Sequence, residues 1–235
     1  MDTILTAVES IRKQTIVVEE VYVIDDGSTD DSVRICEAVG VRVIKMGHNR
    51  GRGFVRKTAI NNCKHDILFF LDATNTVEST FLESGLKWIE NSDFSAVYGK
   101  ISCAKLNTST NRWKDIYLFK SREEPLLSNI RHTGNSMLNC GACVLKKKDI
   151  LKVGNFNSLM RHGEDNELGN RLNAAGFKTI GDYQMKIYCM RNDNLISLLN
   201  RYSRWYSSDE NITLISYLKQ VILFIKYAIY CDIKE

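Results

Sequence analysis

The sequence contains a single proline, Pro125, and it has no low-complexity tract and no repeat at solenoid spacing. These absences leave no obvious linker and exclude a repeat array. With 44% hydrophobic and 26% charged residues, the 235-residue chain has a globular composition and is not expected to be disordered. We therefore expect one continuous domain, with or without an appendage.

The sequence also lacks a recognisable signal peptide and an even cysteine count, since it has seven cysteines. We therefore expect no disulfide framework and a reducing, cytoplasmic location. Cys140 and Cys143 form a C-x-x-C. No second cysteine or histidine pair stands at metal-finger spacing, so buried thiols are favoured over zinc or redox chemistry.

The net charge of +4 is modest but unevenly placed. Basic residues concentrate in 45–57 and 146–148, and acidic residues in 25–31 and 164–167. Such a pattern suits an anionic ligand held through a cation as well as it suits a nucleic acid, and solvated surface charge is the alternative. The motifs described below favour the anionic ligand, and we expect no nucleic-acid partner.

Hydrophobic periodicity predicts an alternation of helices and strands through the first third of the chain. The predicted helices are residues 3–12, 32–39 and 55–63, and the predicted strands are 21–24, 41–45 and 67–71. This βαβαβ order predicts an α/β fold with a doubly wound, mostly parallel sheet and helices on both faces. Further along, we predict helices 80–90 and 164–175 and strands 96–104 and 140–145. The poorly patterned stretch up to residue 139 is either an acceptor-facing region or a variable connection.

The C-terminal part of the chain changes character, since residues 212–230 are strongly apolar. Lys219 and Lys226 argue against a membrane-spanning helix, because a charge at mid-bilayer costs about 3 kcal/mol. An amphipathic helix at a membrane surface fits better, and packing against the domain or a partner is the alternative. We therefore divide the chain into a domain of residues 1–190 and a helical extension of residues 191–235.

Four blocks in order carry a family resemblance. They are VIDDGSTDDS at 23–32, NRGRGFVRKTAI at 49–60, FFLDA at 69–73 and GEDNELGNRLNAAG at 163–176. Together they resemble the family 2 glycosyltransferases, whose fold is named GT-A, over residues 1–205. Two other classes are disfavoured. A nucleotidyltransferase would have a G-x-G-T-R-like loop near its start, and a Rossmann dehydrogenase would have G-x-G-x-x-G after the first strand.

Adjacent carboxylates at a strand end can accept hydrogen bonds from a nucleoside base and ribose, so Asp25 and Asp26 are candidate donor-binding residues. Gly27 would let the backbone approach the donor closely, and Ser28 completes the turn. In the second block, glycines and arginines precede a helix, a setting that can present N–H groups and positive charge to phosphate. The resemblance places Arg56 near the donor diphosphate or the acidic residues.

The resemblance assigns Asp72 to the D-x-D site, where Mg2+ or Mn2+ is held across the donor diphosphate. The second aspartate of that motif is replaced by Thr74, which Asn75 follows. Neutral oxygens bind a hard cation weakly, so we expect lower metal affinity unless Glu78 or another acid substitutes.

In the fourth block the resemblance makes Asp165 the catalytic base, which deprotonates the acceptor hydroxyl. Glu164 would position the acceptor or a sheet loop, and Arg171 with Leu172 would lock the helix. Charge capping of the helix N-terminus is the structural alternative for these acids.

A fifth block, NRYSRW at 200–205, resembles the Q-x-x-R-W signature of polymerising family members. There Arg204 would contact the donor diphosphate and Trp205 would stack on acceptor sugar. An anchor at a membrane interface is the alternative role. Family members normally begin with a strand of the type V-S-V-I-I-P-x-Y-N, which this sequence lacks. We expect either a truncated chain, or a partner or rearranged sheet that fills the gap.

The resemblance implies a hexosyltransferase-like, inverting enzyme that moves a sugar from a nucleotide diphosphate donor, UDP-linked, to a saccharide or lipid-linked acceptor. Its setting would be cell-surface polysaccharide or glycolipid synthesis at the cytoplasmic face of the inner membrane. The alternative is a catalytically silent nucleotide-sugar binding or scaffold module on the same fold.

Overall fold

The computed structural model describes residues 3–90, 93–121, 130–132, 138–206 and 222. The helices are α1 Thr3–Arg12, α2 Ser32–Ala38, α3 Arg52–Asn62, α4 Phe81–Glu90, α5 Ser109–Trp113, α6 Lys147–Lys152, α7 Glu164–Ala174 and α8 Leu195–Tyr206, and a π-helical turn, Lys114–Leu118, follows α5. The strands are β1 Tyr22–Asp25, β2 Arg42–Lys45, β3 Ile67–Leu71, β4 Asn75–Val77, β5 Phe94–Cys103, β6 Ile130–His132, β7 Ala142–Lys146 and β8 Lys178–Cys189.

The described strands form two sheets. β1 pairs with β2 in parallel, and the other six strands form a sheet of order β3-β7-β5-β8-β4 with β6 on β8. The α/β class and the flanking helices are thus confirmed. The parallel direction holds for β1–β2 and β5–β8, whereas β3–β7, β5–β7, β4–β8 and β6–β8 are antiparallel. β7 enters between β3 and β5 after a long connection, so the sheet is mixed.

The helices cover both faces of the larger sheet, as its side-chain alternation requires. On β5, Ala96 and Tyr98 pack into the core cluster that contains Ile60 of α3 and Leu168 of α7. The intervening Val97 belongs to the opposite cluster, which includes residues of α4. α3 and α7 therefore share one face of the sheet, and α4 lies on the other.

Sequence pattern located β3 at its observed bounds but missed β8, the longest strand. β8 carries polar residues on both faces, so it shows neither a clean alternation nor a continuous apolar run. One of them, Asp182, is buried and accepts a hydrogen bond from the Trp88 indole at 2.9 Å. A buried polar side chain that interrupts the strand pattern in the sequence, Asp182, is therefore satisfied by a tertiary partner.

α8 is joined to the domain by buried charges. The Lys114 side chain is fully buried and donates to Asp193 Oδ2 at 3.0 Å, and Asp193 also pairs with Arg201 of α8. No described helix is long and apolar enough to cross a bilayer. The amphipathic helix predicted for residues 212–230 lies outside the described residues, except for Ile222.

Candidate functional site

The blocks that end β3 and begin α3 and α7 meet at Arg56, which is 5% exposed. Its guanidinium donates to Asp72 Oδ1 at 3.2 Å, forms an ion pair with Glu164, and lies 3.6 Å from Asp165 Oδ2. It also donates to the carbonyl oxygen of Cys140 at 3.2 Å. We call Arg56, Asp72, Glu164 and Asp165 the Arg56 cluster. The structure thus brings together four residues that the sequence named from three separate blocks.

Local structure explains why these side chains converge. Asp72 follows β3 directly, and its backbone N–H still donates to the carbonyl of Gly141 at 3.0 Å, which fixes the strand end against β7. Gly163 has φ +72°, a left-handed conformation that glycine adopts without strain, and it starts α7 so that the acids enter its first turn. The partial positive charge of a helix N-terminus favours carboxylates there.

The two acids at the start of α7 have different surroundings. The Glu164 side chain is 1% exposed and lies against Arg56, whereas the Asp165 side chain is 21% exposed. Asp165 accepts hydrogen bonds from the backbone N–H groups of Cys140 at 3.3 Å and Asn166 at 3.0 Å. Asp165 is therefore open to a ligand. The Glu164 carboxylate is paired with Arg56 inside the protein, so of the two roles expected for it, burial favours positioning a loop over contact with the acceptor.

Burial raises the pKa of Glu164 above its usual value, and the charge of Asp165 raises it further against the opposing effect of Arg56. Burial by itself would lower the pKa of Arg56, but the surrounding Cys140 thiol and the carboxyl groups of the cluster raise it well above its ordinary value. The guanidinium therefore stays charged. One cation faces three carboxyl groups, so the cluster has an excess of acidic groups.

The acidic turn after β1 is tied to the glycine loop before α3. Asp26 accepts from the backbone N–H of Arg50 at 2.7 Å and from that of Gly51 at 2.9 Å, through its two different oxygens. Asp25 is 8% exposed and accepts from Ser28 N–H at 3.1 Å. Sequence reasoning placed both carboxylates at a ligand and gave no sign of these internal partners.

Gly27 has φ +83°, and a Cβ there would lie 2.8 Å from the backbone of His48. The structure therefore explains this glycine by the approach of two protein loops.

The expectation that the glycine loop presents its N–H groups to phosphate is wrong at three positions. The N–H groups of Arg50 and Gly51 are bonded to Asp26, and that of Gly53 donates to the carbonyl of Met160 at 3.0 Å. A Cβ on Gly53 would lie 2.0 Å from the carbonyl oxygen of Asn157, so this glycine serves loop packing. Tight loop contacts and phosphate cradles use the same residues, and the sequence did not separate them.

Positive charge remains available beside the cluster. Arg52 is exposed and lines the same cleft as Arg56 and Asp72. Sequence reasoning did not single out Arg52, although its place one turn before Arg56 on α3 was a signal for it.

Asp72 and Thr74 occupy the D-x-D positions. The Asp72 side chain is 34% exposed, and Arg56 engages its Oδ1. Thr74 is half-buried, and its carbonyl accepts from Met190 N–H at 2.8 Å. No group of three histidine, cysteine or acidic residues that could hold a metal occurs in the described part of the chain. Asp72 lies beside further acidic groups, and its carboxylate fits the role of a single protein ligand to Mg2+ or Mn2+. The other oxygen ligands would come from phosphate and water.

Two other candidate metal ligands are used elsewhere. Asn75 is buried, and its side-chain amide donates to the carbonyl of Gly141 at 3.0 Å. Glu78 accepts from the Tyr188 hydroxyl at 2.7 Å. Asn75 thus faces the interior, where it supports β7, and Glu78 is engaged by β8.

Two further expectations concern α7 and the cysteines. Arg171 pairs with Glu167 and donates to the carbonyls of Val153 and Asn155, so it fixes α7 to the preceding loop as predicted.

Cys140 and Cys143 are free, buried thiols, and burial raises the pKa of Cys140 well above its usual value. A thiol in that state is unreactive.

α8 contains the positions of Arg204 and Trp205, whose side chains lie outside the described ones. Their roles therefore stay predictions.

Comparison with known families agrees with this architecture. A model described as glycosyl transferase family 2 matches residues 1–154. The chain belongs to this family. Among curated relatives of this family 2 chain, the pre-mycofactocin glycosyltransferase of Mycobacterium tuberculosis is 30% identical over 166 residues, covering 66% of the chain and 34% of the relative. The succinoglycan biosynthesis protein ExoO of Rhizobium meliloti is 30% identical over 125 residues, covering 52% of the chain and 34% of the relative. The chain spans about a third of the length of the curated relatives it matches.

Solved glycosyltransferase structures share the fold. GalNAc-T7 with UDP, GalNAc and Mn2+ superposes with a TM-score of 0.64 at 16% identity, covering 88% of this chain and 46% of the other. The mannosyltransferase PcManGT of Pyrobaculum calidifontis, solved with GDP-Man and Mn2+, has a TM-score of 0.62 at 16% identity, covering 96% and 66% respectively. At this identity the likeness establishes the GT-A fold of the family 2 chain.

Proposed function

We propose that this chain transfers a sugar from a nucleotide diphosphate sugar, UDP-linked, to a saccharide or lipid-linked acceptor with inversion. The observation that carries the proposal is the Arg56 cluster, in which a charged guanidinium joins Asp72 at the end of β3 to Asp165 at the start of α7. Both carboxylates keep an exposed fraction, so a donor and an acceptor have room to meet there. Family membership and the donors named in the related structures support this reading.

The nucleoside end of the donor belongs at the acidic turn. Asp25 and Asp26 each accept backbone hydrogen bonds, but a carboxylate has about four lone-pair sites, so acceptor capacity is left for ribose hydroxyls and base N–H groups. Ser28 adds a hydroxyl in the same turn. Because Asp26 fixes the loop that begins α3, donor binding at the turn is coupled to the position of Arg56.

The diphosphate belongs between the acidic turn and the Arg56 cluster. Arg52, exposed and in the same cleft, supplies a charge that can pair with phosphate oxygens. Asp72 would hold Mg2+ or Mn2+, which when bound stabilises negative charge on the departing nucleoside diphosphate. Arg56 is occupied by carboxylates, so its part is to hold Asp72 and Asp165 in place.

In the proposed transfer step, the partly exposed carboxylate of Asp165 acts as the base. Its carboxylate takes the proton of the acceptor hydroxyl while that oxygen forms a bond to the anomeric carbon. The bond from that carbon to the phosphate oxygen breaks, and the nucleoside diphosphate leaves with the electron pair. A single in-line displacement inverts configuration. Glu164 acts through Arg56 and is a positioning residue, because its side chain is 1% exposed.

The C-terminal part of the chain completes the proposal. Arg204 would contact the diphosphate and Trp205 the acceptor sugar, both from α8. Residues 191–235 would form an extension that brings the domain of residues 1–190 to the cytoplasmic face of a membrane, where lipid-linked acceptors are found. The buried contacts of Asp193 with Lys114 and Arg201 give this extension a fixed starting point.

A second candidate, a silent nucleotide-sugar binding module, is favoured by one observation: Asp72 is the single acid at the D-x-D positions, and Asn75 and Glu78 are engaged elsewhere. Calorimetry with uridine, guanosine and thymidine diphosphate sugars, with and without Mn2+, separates the candidates when nucleoside diphosphate release is followed in parallel. Metal-stimulated binding with release supports the enzyme. Metal-independent binding without release supports the module, and no binding to any of the sugars contradicts both.

A further inference from the structure

Residues 157–163, which lead into α7, lie against the glycine loop of residues 47–53, and we call them the pre-α7 loop. Arg161 makes a polar contact between the two loops. Its guanidinium Nη2 donates to the backbone carbonyl of Asn49 at 3.2 Å and also to the side-chain oxygen of Asn49. A Cβ on Gly51 would lie 3.0 Å from Arg161 Cα. The two loops are therefore close enough to fix each other's positions.

The glycine loop is also held by the acidic turn after β1. Asp26 accepts hydrogen bonds from the backbone N–H groups of Arg50 and Gly51, the two residues that follow Asn49. Asp26 and Arg161 thus hold adjacent residues of one short backbone segment. Because a displacement of that segment would disturb both sets of contacts, the positions of the acidic turn and of the pre-α7 loop depend on each other.

The pre-α7 loop carries this connection toward Asp165. The N–H of Gly53 donates to the carbonyl of Met160, the residue before Arg161, at 3.0 Å. Two residues after Arg161, Gly163 takes the left-handed conformation from which α7 starts, with Asp165 in the first turn of the helix. The direction in which the chain enters α7, and with it the place of the Asp165 carboxylate, therefore depends on the pre-α7 loop.

We infer that Arg161 is a positioning residue for the transfer step, an inference that rests on the proposed function. Through Asn49, Arg161 ties the loop that leads to Asp165 to the loop that Asp26 holds. A donor seated on the acidic turn would thereby fix the Asp165 carboxylate relative to the anomeric carbon. Arg161 acts on the chemistry only through Asp165, and a displacement of about 1 Å at a reacting group can cost about 100-fold in rate.

The test compares variants on both sides of this contact. Arg161→Met removes the donor group, Asn49→Leu removes the side-chain oxygen, and Asn49→Asp keeps an oxygen there and adds a charge opposite to that of Arg161. The matched control is Lys87→Met, at an exposed cation that pairs with Glu83 on α4. For each variant, kcat and the KM for the donor that binds in calorimetry are measured by nucleoside diphosphate release, together with the midpoint of thermal unfolding.

A second measurement needs no sugar transfer. The N–H of Glu167 donates to the carbonyl of Gly163 at 3.0 Å, so its amide hydrogen exchange reports on the first turn of α7. Asp26→Asn weakens the hold on the glycine loop, because an amide offers one acceptor oxygen where two N–H groups are bonded. We expect Asp26→Asn to speed exchange at Glu167 about threefold or more in the otherwise unaltered chain, and to leave it unchanged when Arg161→Met is also present.

We expect Arg161→Met to lower kcat about tenfold or more, with the donor KM within about twofold and the unfolding midpoint within about 3 °C of the control. Asn49→Leu should also lower kcat, and the double variant should lose no more than Arg161→Met alone, because the Asn49 side chain acts through Arg161. Asn49→Asp should keep kcat within about twofold of the unaltered chain.

An unchanged kcat in Arg161→Met, losses that multiply in the double variant, or exchange at Glu167 that responds to Asp26→Asn equally with and without Arg161 would overturn the inference. A raised donor KM at unchanged kcat would make Arg161 a donor ligand and would overturn it as well. If the unaltered chain releases no nucleoside diphosphate, the proposed function fails, and the exchange experiment still decides whether Arg161 ties the two loops together.

Discussion

Replacing Arg56 by methionine tests whether the Arg56 cluster determines stability as well as site geometry. The Arg56 side chain is 7% exposed and that of Glu164 is 1% exposed, so the substitution leaves a buried carboxyl group without its cation. Removing one partner of a buried ion pair costs about 3–5 kcal/mol, because the remaining charge has lost both water and its partner. Urea denaturation at neutral pH should show an Arg56→Met cost in that range.

A double-mutant cycle separates the ion pair from loss of packing. If Glu164→Gln is added to Arg56→Met, the unpaired buried charge disappears, and the combined cost should be smaller than the sum of the single costs by about 1.5 kcal/mol or more. The control is Lys87→Met, whose side chain is 70% exposed in its pair with Glu83, so the cost of losing that charge pair should be small. Additive single costs, or an Arg56→Met cost below that of the control, would refute this reasoning.

Three further predictions concern the same region. The raised pKa of Glu164 means that the folded chain binds this proton more tightly than the unfolded chain, so its contribution to stability is lost as pH rises from about 4.5 through the raised folded value. Glu164→Gln should reduce that slope in urea titrations across pH, and an unchanged slope would show that Glu164 is not its source. Gly53→Ala should cost about 3 kcal/mol through overlap with backbone at 2.0 Å, against about 1 kcal/mol for Gly40→Ala, where only positive φ opposes the side chain. If the loop that carries Asn157 could move aside, calorimetry would show the larger loss of stability for Gly40→Ala, and that result would contradict the overlap argument. Thr74→Asp should tighten Mn2+ binding about tenfold by adding a second carboxylate near Asp72, and unchanged calorimetric affinity would mean that the motif does not hold metal here.

The sequence predicted those parts of the fold and site that depend on local pattern. The apolar run of β3 and the helical spacing of α4 placed these elements within a residue of their observed bounds. Asp72 and Asp165 were named because their blocks resemble motifs of the family, and each block is a short stretch of sequence. The antiparallel pairings of β7 and the polar strand β8 were not predicted, since both depend on partners far along the chain.

The partners that individual side chains bind inside the protein could not be predicted from the sequence either. Asp26 looks like a ligand-binding carboxylate in the motif, yet its two oxygens accept backbone N–H groups from a loop more than twenty residues away. Glu164 and Asp165 are neighbours of the same chemical class, but α7 turns one toward Arg56 and leaves the other partly exposed. Neighbouring residues on a helix point to different sides of it, and a run of acidic residues does not show which of them will face the interior.

The proposed function requires that Asp165 remove the proton of the acceptor hydroxyl during sugar transfer. Release of nucleoside diphosphate from the donor that binds in calorimetry should be measured for the unaltered chain, Asp165→Asn and the same-turn control Glu167→Gln. We expect activity to fall about 100-fold or more in Asp165→Asn with donor affinity retained, and Glu167→Gln to keep its activity. Full activity in Asp165→Asn would contradict the claim.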